Sequence, residues 1–337
     1  MRQPAQSATM APMNILITGG AGFIGSHVAE AYLAQGHRVV ILDDLSTGRE
    51  ANIPPAATFH QVDLRDEAAL TLVRELRPDV ISHHAAQMNV RRAVDDPVHD
   101  LHVNLVATVR LLAVAREVGV RKFIYASSGG TVYGEQQSFP AGEDHPTHPI
   151  SPYGIDKLAA EQYTVYMAHG AFQPVILRYA NVYGHRQNPA GEAGVVAIFA
   201  QRLLAGKACT IYGDGQQTRD YLYIGDAVEA NLLVLRDEAE GVYNVGTGKE
   251  TPLLTLYAAI ADQLAPDTPP QHVPAGRGEL RRNAIAPARL REQFGWVPQV
   301  GLGEGLAETL GYLGGKRGRG RGVSAVSRPW PSRGATA

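Results

Sequence analysis

The chain has 337 residues, 45% of them hydrophobic and 19% charged, enough for one large core or two coupled ones. Its formal net charge of −2 excludes the strongly basic balance of a nucleic-acid binder, and its single cysteine, Cys209, excludes an intramolecular disulfide and fits a reducing cytoplasm. No run approaches the ~18 apolar residues of a membrane span, so no membrane partner is expected. Residues 1–12 have one arginine and no apolar stretch, unlike a secretory signal, and read as a disordered extension.

The first predicted strand is NILIT, residues 14–18. Gly19, Gly22 and Gly25 follow at three-residue spacing. FIGSHVAEAYLAQG then reads as a helix with Ile24, Val28, Ala31 and Tyr32 on one face and Gly36 as its stop. RVVILD is the next strand. Glycines at such a turn let backbone approach a pyrophosphate, and the helix N-terminus offers it free N–H groups. The ordered strand, glycine turn, helix, strand and terminal acid predict a dinucleotide site. Asp43 ends the second strand, where a carboxylate accepts from ribose hydroxyls and repels a 2′-phosphate, so NAD is expected rather than NADP. Asp44 is either a second ribose contact or a solvated turn residue.

The alternation continues through a strand ending near Asp63 and Leu64, placed to edge an adenine, and the helix EAALTLVRELRP. DVISHHAAQ is a strand ending in the small residues Ala85 and Ala86, across which a cofactor can lie. His83 and His84 are adjacent on a strand and point to opposite faces, and His99 and His102 lack a carboxylate-rich partner motif, so no metal site is expected. A long helix and the strand RKFIYASS follow. Alternating strands and helices predict an α/β fold, a Rossmann-like doubly wound parallel sheet with ligands at the carboxyl ends of its strands. The bounds read from the sequence are residues 13–180 for the NAD-binding domain, with returning segments near 220–246. A smaller, interleaved α/β substrate domain takes 181–315.

SPYGIDK opens another helix, with Ser151 as N-cap and Pro152 at its first position. Tyr153 and Lys157 are then i and i+4, on one face. A tyrosine acting as a base must lose a proton whose free pKa is about 10, and a nearby ammonium favours the phenolate. Both residues therefore read as catalytic.

Here the sequence resembles the extended short-chain dehydrogenase/reductase family, and within it the UDP-glucose (UDP-galactose) 4-epimerases. The matching stretches are TGGAGFIGSH, DDLSTG, VDLRD, HHAAQMNVRRAVDDP, SSGGTVYGE, SPYGIDK, LRYANVYG and YGDGQQTRDYLYIGD, spread over residues 13 to about 313. The resemblance implies that Tyr153 takes the proton of the sugar 4′-hydroxyl while hydride passes to tightly held NAD⁺. The keto sugar then turns over and hydride returns to its other face. Lys157 would also hydrogen-bond the nicotinamide ribose. On this frame the cofactor set is Gly19, Gly22, Phe23, Ile24, Gly25, Asp43, Asp44, Leu45, Ser46, Gly48, Asp63, Leu64, Ala85, Ala86, Gln87, Asn104, Ser127, Tyr153, Lys157, Tyr179 and Ala180.

The family commonly has a serine or threonine four residues before the tyrosine of VYG. That tyrosine is Tyr133 here, and Gly129 stands in the hydroxyl's place. By strand alternation Ser128 should face away from Gly129's direction, so Thr131 or a water is preferred as donor to the sugar oxygen. Ser128 is kept as a catalytic candidate and Ser127 is placed nearer the nicotinamide. All three hydroxyls could instead satisfy turn backbone groups. The related 4,6-dehydratases carry an Asp-Glu pair just before VYG; Thr131 and Val132 occupy those places, which speaks against dehydration.

For the substrate, the resemblance puts Asn181 and Arg219 on the diphosphate, a forked guanidinium suiting phosphate oxygens. A salt bridge with Asp220 is the alternative for Arg219. Val195 lies in a loop and helix over the site, and Tyr212 is placed near the uracil. In PAGRGELRRN, Glu279 fits the family's ribose acid, while Arg277 falls one residue late for the diphosphate arginine. Asn283 stands where some members have a bulky tyrosine, so an N-acetyl group should fit and UDP-N-acetylglucosamine should be accepted. The long helices at about 96–118 and 151–169 carry surplus apolar residues, and in the family their equivalents pair as a four-helix bundle, so a homodimer is expected. From Lys316 onward there are six basic residues and no acidic ones. This tail, 316–337, reads as disordered. Competing readings are a UDP-glucuronate epimerase or decarboxylase, and a non-catalytic NAD-binding regulator.

Overall fold

In a computed structural model, the structure describes residues 11–189, 194–274 and 280–315. The expected disordered extension is described only at its residues 11 and 12, and the basic tail lies outside the described residues. The strands of the first half are β1 (Asn14–Thr18), β2 (Arg38–Asp43), β3 (Thr58–Gln61), β4 (Val80–His83), β5 (Lys122–Ser128) and β6 (Gln173–Tyr179). Those of the second half are β7 (Asn181–Tyr183), β8 (Thr210–Tyr212), β9 (Thr218–Arg219), β10 (Tyr221–Tyr223), β11 (Gly241–Val245), β12 (Thr251–Pro252) and β13 (Gln271–Val273). One seven-stranded sheet has the order β3-β2-β1-β4-β5-β6-β11, and all its pairings are parallel. This is the doubly wound dinucleotide order with one strand added, and its direction of growth reverses between β1 and β4.

Alternation along β1 divides the core. Ile15 and Ile17 face one layer, Leu16 the other. The first layer includes α1 (Phe23–Ala34), which buries Val28, Ala31 and Tyr32 as its spacing predicts. The second includes α2 (Glu67–Leu76). Next come α3 (Val90–Asp95), α4 (Pro97–Leu101) and α5 (Ala107–Val118), the last two joined by a π-turn over His102–Val106. α6 (Pro152–Ala168) starts as its sequence demands: Ser151 Oγ accepts from Gly154 N–H at 3.2 Å, and Pro152 fills the first turn.

Pro97–Val118 is thus one continuous 22-residue helix, within which an 18-residue stretch has mean hydropathy 1.3, long and apolar enough to cross a membrane by length and composition alone. The sequence showed no unbroken apolar run there because His99, Asp100, His102 and Asn104 interrupt its apolar residues. In the fold the helix packs on α2 and α6 and sends Leu111, Leu112, Val114 and Ala115 into the core.

The second half adds α7 (Val195–Leu204), α8 (Ile224–Leu233), α9 (Leu253–Leu264), α10 (Ala288–Phe294) and α11 (Leu302–Gly315). Three two-stranded sheets, β7 with β10, β9 with β12 and β8 with β13, complete it. Its chain returns to the first half twice: β11 pairs with β6, and α8 packs against α1.

Candidate active site

At the β1–β4 switch point the chain needs glycine. Gly19 has φ +70°, and a Cβ there would lie 2.6 Å from Ala85 N. A Cβ at Gly25 would lie 2.3 Å from Gly19 O, so α1 seats directly on the turn. Phe23 and Ile24 form the first turn of α1, where backbone N–H groups have no intrahelical acceptor. Asp43 is buried and accepts from Ala21 N and Leu45 N, both at 2.9 Å; burial raises its pKa and the two bonds oppose the rise. A carboxylate has about four acceptor sites, so Asp43 keeps capacity for ribose hydroxyls. A Cβ at Gly48 would lie 2.7 Å from Asp43 Oδ1, which keeps this edge open only for glycine. The cradle and its terminal acid fit a dinucleotide.

Other expected cofactor contacts are engaged within the protein. Asp44 accepts from Ser46 N at 2.9 Å and Ser46 Oγ at 2.6 Å, a side-chain-closed turn. Asp63, beside Leu64, is gripped by the Arg65 side chain, whose hydrogen bond lowers its pKa. Ala85 N–H donates to Thr18 Oγ1 at 3.3 Å, with Ala86 next along the same chain end. Asn104 holds Gln87 by its backbone, accepting from Gln87 N at 2.9 Å and donating to Gln87 O at 2.8 Å. Tyr179 turns into the core, where Asn231 Nδ2 donates to its hydroxyl at 2.7 Å, and Ala180 N–H is bonded to Val245 O. His83 lies between Thr18 Oγ1 at 2.6 Å and Thr108 Oγ1 at 2.9 Å, while His84 meets Ser82 Oγ at 2.9 Å. Burial lowers both histidines' pKa values, His84 to about 3, and the Lys157 charge adds to this. Among the described residues no three His, Cys, Asp or Glu side chains gather as metal ligands.

Tyr153 and Lys157 lie together on the buried face of α6, against the end of β5. Lys157 Nζ donates to Ala126 O at 2.9 Å and lies 4.9 Å from the Tyr125 ring centre and 5.8 Å from that of Tyr153. Burial brings Lys157 down to about 8, against the pull of Asp100, Glu161 and Asp156. Burial pushes the Tyr153 phenol up; the Asp100 charge adds to this, and a hydrogen bond with the Ser128 hydroxyl works the other way.

The Ser128 hydroxyl is thus near enough to Tyr153 to oppose the rise, whereas Thr131 Oγ1 donates back to Ser128 O at 3.4 Å and closes the turn. Alternation misleads here because β5 ends at Ser128 and the next residues form a turn, with Thr131 N and Val132 N bonded to Ser128 O. A Cβ at Gly129 would lie 2.5 Å from Ile285 Cδ1, so this position faces the core. Ser127 Oγ donates to Glu161, which pairs with Arg178 at 2.6 Å, both residues being buried.

On the substrate side, Asn181 Oδ1 is buried with no donor among the described residues. A Cβ at Gly130 would lie 3.7 Å from this atom and 3.7 Å from Ser128 Oγ, so both oxygens flank Gly130. Asn283 Nδ2 donates to Gly129 O at 3.1 Å. Arg219 NH1 donates to Thr218 O at 2.8 Å. Asp220 accepts instead from Thr247 N and Oγ1 and from Gly248 N, at 3.1 Å or less. Tyr212 Oη accepts from Arg91 NH1 at 2.9 Å, and the guanidinium sits 4.1 Å over its ring. Val195 opens α7. Arg277 and Glu279 lie outside the described residues. Sequence reasoning missed Arg91, Glu161 and Arg178, whose partners are distant in the chain. It also passed over Asp100 and Asp156, although Asp156 stands inside SPYGIDK.

The NAD dependent epimerase/dehydratase family model matches residues 15–246. A UDP-glucose 4-epimerase of Mycolicibacterium smegmatis is 47% identical over 309 residues, covering 89% of this chain and 98% of its own. The solved UDP-glucose 4-epimerase of Thermotoga maritima with UDP-glucose superposes with a TM-score of 0.87 at 41% identity, covering 90% of this chain and 100% of its own. That of Thermus thermophilus in complex with NAD gives 0.85 at 44% identity, covering 90% and 99%. A glycine cradle closed by Asp43, a tyrosine–lysine pair at the end of β5 and these matches over most of the chain lead to one assignment: the chain belongs to the NAD-dependent epimerase/dehydratase family.

Proposed function

We propose that the protein is a UDP-glucose 4-epimerase that interconverts UDP-glucose and UDP-galactose through a transient 4-keto sugar. The observation that carries this reading is the pairing of Tyr153 and Lys157 on the buried face of α6, with Lys157 Nζ 5.8 Å from the Tyr153 ring centre, beside a dinucleotide cradle. Tyr153 is the base that accepts the 4′-hydroxyl proton and the acid that returns it. Lys157 supplies the positive charge that offsets the burial of a phenolate. Ser128 steadies the sugar oxygen as its proton moves. Gly19, Gly22, Gly25 and Asp43 would hold NAD⁺, which would supply the hydride acceptor with no net redox change. Asn181 and Arg219 are read as the diphosphate contacts, through the amide N–H and guanidinium donors that phosphate oxygens need.

Dehydration is disfavoured because Val132 is fully buried and Thr131 is tied to the turn, which leaves no acid pair beside Tyr133. A regulator that merely binds the cofactor has no need of the Tyr153–Ser128–Lys157 arrangement. A UDP-glucuronate enzyme is the remaining competitor, since a decarboxylase of that sugar from Danio rerio is 30% identical. Asn283 is smaller than the tyrosine that some members of the family carry at this place, and the reading extends the substrate range to UDP-N-acetylglucosamine on that ground. The reading also includes a homodimer in the cytoplasm. Val94, Val98, Leu101 and Val106 on α3 to the π-turn, with Ile155, Tyr163 and Tyr166 on α6, form an exposed apolar face suited to a second copy.

The test is incubation with UDP-galactose without added NAD, followed by NMR. Formation of UDP-glucose supports an epimerase that retains its cofactor. No conversion by protein that carries bound NAD would direct the search to another uridine sugar.

A further inference from the structure

Beneath the tyrosine–lysine pair lie two carboxyl groups with no part in the mechanism above. Asp100, on α4, is fully buried, and Asp156, on α6 one residue before Lys157, is 5% exposed. Asp100 Oδ1 accepts from Gln87 Nε2 at 2.7 Å and from Asn104 Nδ2 at 2.9 Å, as an ionised carboxylate does. Each residue has a buried Oδ2 with no N–H or O–H donor among the described residues. The two carboxyl groups lie close enough to interact, on helices that pack together. Two carboxylates so placed repel each other, and one proton between them would satisfy both orphaned oxygens.

The charge balance agrees. Within this buried cluster Lys157 and Arg178 are cationic, and Glu161, paired with Arg178, is anionic. One further negative charge makes the set neutral; two would leave an uncompensated charge in the interior. The remaining neighbours bring no further charge. Tyr125, Gln87 and Asn104 are neutral, and burial keeps His83 and His84 neutral. The charged residues of α3 are exposed, with Arg91 on Tyr212 and Arg92 toward His99.

We propose that Asp156 carries the proton that binds it to Asp100, and that this carboxyl–carboxylate couple positions Tyr153 and Lys157. It ties the catalytic helix to the Gln87 segment at the end of β4 and gives Lys157 a single counter-charge. The proposal rests on the reading of Tyr153 and Lys157 as the proton-transfer pair. Burial and the adjacent Asp100 raise Asp156 to about 7, so the couple loses its proton just above neutral pH. Loss of the proton sets two negative charges face to face between α4 and α6. The added charge beside Tyr153 opposes formation of the phenolate, and turnover falls.

The amide of Asp156→Asn donates to Asp100 as the acid does but holds the couple at one negative charge at every pH. Infrared spectroscopy of the holoenzyme should show a protonated-carboxyl stretch that bleaches as pH rises through about 7 and is absent from Asp156→Asn. At mildly acidic pH this variant should keep kcat within about threefold while losing the alkaline fall of the kcat profile. Asp156→Ala strips the donor from Asp100 and should lower kcat about tenfold or more with little change in KM. No protonated-carboxyl band in the wild type, or the same band in Asp156→Asn, overturns the shared proton. A band that behaves as expected beside an unchanged pH profile overturns the positioning role. The band is read without turnover, so it stands even if UDP-galactose proves not to be a substrate.

Discussion

Tyr153 needs a hydroxyl and a cation beside it, and the protein supplies them from different sources. The cation comes from the next turn of its own helix, so i,i+4 spacing displayed it in the sequence. The hydroxyl comes from a strand end, and strand alternation fails at the residue where the strand stops. That is why Thr131 was favoured from sequence, while in the fold its hydroxyl donates back to Ser128 O. Tyr153→Phe should lower kcat for UDP-galactose by about 10²–10⁴-fold, a general acid–base loss. Ser128→Ala should lower it by about 10–10²-fold, and Thr131→Val should leave it within about threefold, all read by steady-state kinetics. The Lys157 charge has a pH signature. Its pKa falls from 10.5 unfolded to about 8 folded, so below about 8 the native state bears a buried ammonium that the unfolded chain solvates freely. The melting temperature of the wild type should therefore climb as pH rises from about 8 toward 10.5, and Lys157→Met should lack that climb.

Glu161 on α6 and Arg178 on β6 lock those two elements together, with Ser127 and Tyr133 bonded to the same pair. Each residue was visible in the sequence only as a polar interruption of an apolar pattern. Their partnership was not, because helix and strand periodicities carry no information about which faces meet. Arg178→Ala would leave Glu161 buried without its ion, and unfolding in urea should show a loss of about 3–5 kcal/mol. Gly129 is the opposite case, a family departure that was legible but misplaced. Its missing side chain would point at Ile285, so Gly129→Ser should add no activity and should destabilise by about 1–3 kcal/mol through overpacking. Asp100, Asp156 and the Gln87 segment belong to this scale as well, since three separate elements are needed before the couple exists.

The parallel, doubly wound character of the main sheet followed from alternating strands and helices, each with the turn chemistry its position requires. The paired short strands of the second half did not, because two- and three-residue strands leave no periodic trace. The proposed homodimer is tested at this scale. Tyr166 is 71% exposed on α6, close to other apolar side chains. Tyr166→Glu should halve the mass measured by light scattering if this face joins two copies. The strand β11 bears on how the protein is made. It is synthesised about sixty residues after β6, its one sheet neighbour among the described residues, with β7 to β10 between them. Until residue 245 has left the ribosome, β6 is a sheet margin of bare N–H and C=O groups, and α1 lacks the cover of α8. The nascent nucleotide-binding half is thus exposed to wrong pairing while the substrate-binding half is translated. A chain released at residue 180 should aggregate, and one released at 246 should do so less.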